Sequence, residues 1–383
     1  MNSVSLARVF SIIAGIALMA LADFAAADEP LVFVSAFAGG EEGAIHAFQL
    51  DLTTGGLKPL HRTAGVENPF FLAVSPDQRF LFSIFAPTFG GKEPEQVAAF
   101  RLEGRSGKLS PLNRQTTRGT ASCYLAVDAT GKCVLVANYS TGNVASYGVK
   151  ADGSLSEPVS FVQHEGSSVN PDRQKEPHAH CFVISPNNQF AYAADLGIDQ
   201  IVCYKLDAAS ATLTPAVQPF VRTPPGTGPR HLTFHPNGRF MYVINELKNS
   251  VTRFDFLPDS GILIERQTIS TLPPDFDDTS HCADLKITPN GKFLYGTNRG
   301  HDSIAAYQIA DDGQLSLIEI KPSLGKGPQN LAITADGLLL LCANMPGNNV
   351  VAFRINADDG TLTSVGSPIE ISGPSCIRIL HKG

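Results

Sequence analysis

The sequence predicts an all-β fold, a seven-bladed β-propeller with four antiparallel strands per blade, and three observations predict it. First, two apolar runs around a tight turn recur at Pro76-Asp77, Ala129-Thr130-Gly131, Asn187-Asn188, Asn237-Gly238, Asn290-Gly291 and Asp336-Gly337, roughly 50 residues apart. Second, another hairpin follows each, turning at Ser106-Gly107, Asp152-Gly153, Ala208-Ala209-Ser210, Asp259-Ser260-Gly261, Asp312-Gly313 and Asp359-Gly360. Third, the ends are complementary. Residues 374–380 read as a first strand with nothing after it, while Leu31–Ala36, Ala44–Leu50 and 57–60 read as strands two, three and four of a blade lacking its first. Six complete units begin near Pro69, Ser122, His178, Pro229, Cys282 and Pro328, and the two ends together make the seventh. Closing the ring this way removes the free sheet edges at which chains pair and aggregate.

The strands are expected over residues 28–383, as one domain. Residues 1–27 read as an export leader: one cation at Arg8, an apolar run from Val9 to Ala22, then Ala25-Ala26-Ala27 before Asp28, the small-residue pattern of a signal peptidase site. The run is shorter than the roughly 20 residues that a spanning helix needs, and no later segment is long and apolar enough, so the mature chain is expected to be exported, periplasmic or secreted, without a membrane span. A formal charge of -7 with scattered Lys and Arg provides no basic stripe, which argues against nucleic acid. The chain has no Trp, unlike blades built on WD dipeptides or docked by tryptophan. Seven cysteines lie in or near predicted strands with no CxxC spacing; they read as small buried hydrophobes, and no disulfide pair is assigned.

Comparing the blades position by position separates what the repeat requires from what it does not. With the first turn as register, Arg230 aligns with Phe70, Cys123, His180, Ala283, Gln329 and Ser375, at the start of each inner strand. At the end of the second strand Glu246 aligns with Tyr139, Leu196, Arg299 and Met345. Both positions lie at one face of the ring, because a hairpin brings its two ends together. His180, Arg230, Glu246 and Arg299 therefore converge on one mouth of the central channel from three consecutive blades. The preceding position is different: Asn138, Asp195, Asn245, Asn298 and Asn344 recur, as expected of side chains that bond the local turn.

In Pro177-His178-Ala179-His180, in Gly228-Pro229-Arg230-His231 with Asn245-Glu246-Leu247, and in Asn298-Arg299-Gly300-His301-Asp302-Ser303-Ile304, the chain resembles the seven-bladed propeller lactonases of the 6-phosphogluconolactonase type. The related carboxy-muconate lactonizing enzymes share the resemblance. It covers nearly the whole mature chain, and implies a carboxylic-ester hydrolase acting on a small sugar lactone, without a cofactor or metal. It carries a His, two Arg and a Glu onto His180, Arg230, Arg299 and Glu246 as the catalytic group. Around them His178, His231, Asp195, Asn298 and Arg173 are the candidate substrate contacts. They lie in those stretches, in Ala194-Asp195-Leu196-Gly197, which resembles the family as well, or in the loop 163–176, which approaches the same mouth.

Those residue types suit the reaction. Opening a lactone needs a base for the attacking water and donors for the developing oxyanion. Glu246 is assigned as that base and His180 as acid or orienter, the exchanged assignment remaining open. The Arg pair holds the substrate anion and the intermediate. His178 and His180, two apart, would face one side of a strand, yet the chain has no HExxH, Cys pair or acidic cluster to complete a metal site. GxSxG, P-loop and GxGxxG motifs are absent, so serine-hydrolase and nucleotide chemistry find no support. Two other readings stay open: a muconate-type lactonizing cycloisomerase, whose dicarboxylate two Arg suit equally well, and a propeller that binds without chemistry.

Overall fold

The computed structural model describes residues 29–381, so the leader expected over residues 1–27 lies outside the described residues. Its strands form seven four-stranded antiparallel sheets arranged as blades. We number the blades in chain order, and within each the strands run from the channel outward. Blade 1 closes the ring: Pro374–Leu380 is its innermost strand and pairs with Leu31–Ala36, with Val34 opposite Ile377. The inner strands of blades 2 to 7 are Leu72–Val74, Ser122–Val127, Ala179–Ile184, Pro229–Phe234, His281–Ile287 and Pro328–Ile333. Among the described residues no helix is long and apolar enough to cross a membrane.

Burial explains why the strand patterns differ across a blade. Second strands such as Phe240–Asn245 are buried at every position, packed between neighbouring blades, whereas outermost strands such as Ile262–Ser270 alternate with solvent. Blades are also tied by polar contacts. Tyr192, Tyr242 and Tyr295, at matching places in their second strands, donate their hydroxyls at 2.7, 2.7 and 2.8 Å to the carbonyls of Gly261, Gly313 and Gly360 in the next blade. Gly313 must have no side chain: its φ is +84°, and a Cβ would meet Phe240 and Arg253 at 2.8 and 2.7 Å. Gly313→Ala is expected to lower stability by about 1–3 kcal/mol, read from urea denaturation. All seven cysteines are buried as free thiols.

Candidate active site

A repeated irregularity builds the site. In blade 5 Pro229 pairs with Asn245 and His231 with Ile244, leaving Arg230 as an extra residue on the inner strand. The same register shift leaves Cys123 extra in blade 3, His180 in blade 4, Gln329 in blade 7 and Ser375 in blade 1. In blade 6 it leaves Ala283 and Asp284 opposite Thr297. A β-bulge re-aims side chains and interrupts the ladder. Here it turns the aligned ring toward the mouth, and Phe70, Cys123, His180, Arg230 and Gln329 all line one cavity of about 320 Å³.

Glu246 is the centre of that cavity's chemistry. Its Oε2 accepts from Arg230 Nε at 2.8 Å and lies 2.9 Å from Arg299 Nη2; its Oε1 accepts from Arg173 Nη2 at 2.6 Å. Glu246 and Arg230 are buried, while Arg173 and Arg299 keep 32% and 27% of their side chains open to solvent. Burial alone would raise the Glu246 carboxyl, but Arg299, Arg230, His180 and Arg173 hold it well below the usual carboxylate range. Burial, then the neighbouring Arg299, brings Arg230 down to about 10, against the pull of Glu246, so it stays charged near neutral pH. Three guanidiniums on one carboxylate leave the cavity with an excess of positive charge.

Arg173 reaches the site from the loop after the outer strand of blade 3. Asn170 Oδ1 accepts from the backbone of Asp172 and Arg173, and Gln174 Nε2 donates to Leu196 O, so the turn bearing Arg173 is fixed before any ligand arrives. Its Nη2 also donates to the Tyr139 hydroxyl at 3.0 Å. His180 is held differently. Its Nδ1 lies 3.6 Å from Cys123 Sγ, and its Nε2 has no hydrogen-bond partner among the described residues. The Cys123 thiol, pushed well above its usual 9.0 by burial, can donate to the His180 carbonyl at 3.4 Å and accept from His180 Nδ1–H. That tautomer leaves the Nε2 lone pair free at the cavity.

The remaining sequence assignments fall elsewhere. His178 lies before the inner strand rather than two along it. Its ring stacks on Tyr139 at 4.4 Å and its Nδ1 bonds Tyr139 O, so it supports the cavity wall. Asp195 is fully buried and bonded to His164, to His178 N and to Gly197 N; Asn298 donates to Thr271 O and Ser303 Oγ. Both serve turns, as the recurrence of their position implies, and neither lines the cavity as a substrate contact. His231 lies beneath the mouth, bonded to Arg230 and Asp284, and does not line it either. Phe89, absent from the sequence assignments, does: it stacks on Phe70 at 5.0 Å from the segment between the second and third strands of blade 2. Glu95 anchors that segment by accepting from Gly90, Ala121 and Ser122 backbone N–H groups. No group of three His, Cys, Asp or Glu side chains among the described residues converges as metal ligands would.

Burial of two neutral histidines has a consequence for stability. Burial first, then Arg230, depresses His180 well below its usual 6.5 and His231 to about 3. The unfolded chain takes up these protons near pH 6.5, whereas the folded chain resists them until far lower pH. Their contribution to stability is therefore full above 6.5 and declines as pH falls toward the folded values. The melting temperature is expected to be flat above about pH 7 and to fall below it, with a shallower fall in His231→Gln.

The fold and the mouth together define a class: a closed seven-bladed propeller whose channel holds a buried Glu–Arg cluster, an excess of cations and His180 Nε2, which has no hydrogen-bond partner among the described residues. A family described as "Lactonase, 7-bladed beta-propeller" matches residues 31–379, and the chain belongs to it. It is 35% identical over 346 residues to the 6-phosphogluconolactonase of Bacillus subtilis, covering 90% of this chain and 96% of that one. It is 30% identical over 360 residues to the 6-phosphogluconolactonase of Formosa agariphila, covering 91% and 99%. Among solved structures, the periplasmic gluconolactonase of Pseudomonas aeruginosa superposes with a TM-score of 0.86 at 32% identity, over 92% of this chain and 99% of that one.

Proposed function

We propose that the protein hydrolyses the lactone of a sugar acid, of the 6-phosphogluconolactone type, with His180 rather than Glu246 activating the water. The observation that carries this reading is the cluster itself: a carboxylate engaged by three guanidiniums beside a histidine whose Nε2 is unpartnered. A carboxylate so stabilised in its charged form is a very weak base. Its work is to hold Arg173, Arg230 and Arg299 in place.

The step needs no group beyond these side chains. Water attacks the lactone carbonyl carbon as its proton passes to His180 Nε2. The oxyanion forms against the guanidiniums, and its collapse breaks the ring C–O bond. His180 returns the proton to the ring oxygen, which leaves as the alcohol of the open hydroxy acid. A bound anion also corrects the weakness of the base. Burial depresses His180 first and Arg230 second; the anion offsets the Arg230 part and moves that histidine toward the range where proton transfer at neutral pH is efficient.

Two relatives carry the name 6-phosphogluconolactonase and one solved neighbour is called a gluconolactonase, so the phosphate is the point to test. The excess positive charge favours the phosphorylated lactone. Acid release from phosphorylated and plain gluconolactone, with EDTA present, by the unmodified protein and by Arg173→Gln decides it. The variant is expected to raise KM for the phosphorylated lactone by about 10-fold or more, and less for the plain one, with the difference shrinking at high salt. An equal effect on both would assign Arg173 to the lactone ring. Ring closure of a muconate-type dicarboxylate in place of hydrolysis would support the cycloisomerase. Export is part of the same reading: protein recovered from the periplasm is expected to begin at Asp28, and a retained leader would contradict it.

A further inference from the structure

We propose that His231 and Asp284 are positioning residues that lock the Arg230 guanidinium for the reaction, through a hydrogen-bonded chain running down the channel from the mouth. The kinetic part of this rests on the lactonase reading; the structural part does not.

The bulge that turns Arg230 to the mouth also undoes strand alternation, so Arg230 and the next residue both engage channel groups. Arg230 Nη1 lies 3.2 Å from His231 Nε2, and His231 Nδ1 lies 2.9 Å from Asp284 Oδ1 on blade 6. A guanidinium only donates, so His231 Nε2 must accept, and the imidazole proton must sit on Nδ1 and point at Asp284. Only this neutral tautomer satisfies both neighbours. A proton on Nε2 would oppose two N–H groups and, in the imidazolium, set one cation against another.

Asp284 is built to be the fixed end of the chain. Its Oδ1 also accepts from Lys286 Nζ at 2.8 Å, and its Oδ2 accepts from Lys286 Nζ, Asn330 Nδ2 and Leu331 N at 2.6, 2.7 and 2.9 Å. Five hydrogen bonds from four donor groups, on blades 5, 6 and 7, hold a carboxylate that is almost wholly buried. The repeat uses this position as an acceptor for the next blade, Asn330 Oδ1 from Ile377 N and Cys376 Sγ from Leu72 N, but the equivalents Tyr124, Cys181, Asn330 and Cys376 carry no carboxylate.

The effect on Arg230 is specific. Nε is bound to Glu246, and Nη1 to His231 and, at 2.5 Å, to Ala283 O. That leaves Nη2 without a hydrogen-bond partner among the described residues, on a residue that lines the cavity. The chain therefore presents one end of a rigid guanidinium to the position where the oxyanion develops. Without it, Arg230 would keep its bonds to Glu246 and Ala283 O but lose one of the two Nη1 contacts that set the plane of its fork.

Two substitutions separate positioning from packing. Gln at 231 carries one acceptor and one donor and reproduces both of the neutral histidine's bonds; Phe fills the space and offers neither. His231→Phe is expected to lower kcat on the preferred lactone by about 10–100-fold with little change in KM, and His231→Gln to recover most of that loss. Equal activity in both variants, or an equal loss in both, would overturn the proposal. Should the Phe variant fail to fold, side-chain ¹⁵N NMR of the unmodified protein decides. The proposal requires His231 protonated on Nδ1 alone from about pH 5 to about pH 9. A proton on Nε2 would overturn it. The NMR result stands even if no lactone is turned over, so failure of the lactonase reading and failure of this inference are distinguishable.

Discussion

Glu246→Gln is expected to abolish measurable lactone turnover and to cost about 3–5 kcal/mol of stability, the usual consequence of removing one partner from a buried ion pair. The reason is charge, not shape. Gln nearly matches Glu in size, but it leaves Arg230, almost wholly buried, with no counter-ion beside Arg299. Arg173 would lose one of its two anchors, keeping only the Tyr139 hydroxyl. The same change makes the mouth more cationic, so the variant should hold a phosphorylated product more tightly at low salt while failing to form it. Chemical denaturation, product binding and turnover report these three effects separately. Unchanged stability in the variant would show that the Arg residues repack around the missing charge.

His180→Asn is expected to lower kcat by about 10²–10⁴-fold while leaving the fold intact, because among the described residues His180 Nδ1 bonds only a thiol and Nε2 has no hydrogen-bond partner. The pH dependence is the sharper signature. The base must be neutral, so rates fall as pH drops through its pKa. In the free enzyme that value lies well below 6.5, so kcat/KM should stay level into the acid range. The bound anion raises it, so the acid limb of kcat should lie at higher pH than that of kcat/KM, and both limbs should vanish in the variant. Coincident limbs would mean that the substrate charge does not reach His180. An acid limb that survives in His180→Asn would move the base elsewhere.

The ring was legible in the sequence because its cause is periodic. Turn residues recur, apolar runs flank them, and the two chain ends supply complementary parts of one blade, as the pairing of Leu31–Ala36 with Pro374–Leu380 shows. The convergence of His180, Arg230, Glu246 and Arg299 was legible for the opposite reason: they break the repeat at positions the repeat brings together. What escaped was the bulge, since an extra residue leaves no mark on an alignment anchored at the turns. Strict alternation places His178 on the same face as His180 and turns His231 away from Arg230. The bulged inner strands do neither, so His178 became a support for Tyr139 and His231 a partner of Arg230. Asp284 was hidden in the same way, and Phe89 because it sits on a segment with no counterpart in the other blades.

The proposed activity of this cationic mouth is the opening of lactones. The most direct test is the initial rate of acid release from 6-phosphogluconolactone by the purified mature protein, corrected for spontaneous hydrolysis and measured with EDTA present. Saturable turnover is expected, exceeding the rate on plain gluconolactone and disappearing in His180→Asn. Binding of the lactone with no acceleration over the spontaneous rate would contradict it and leave the propeller as a binding platform.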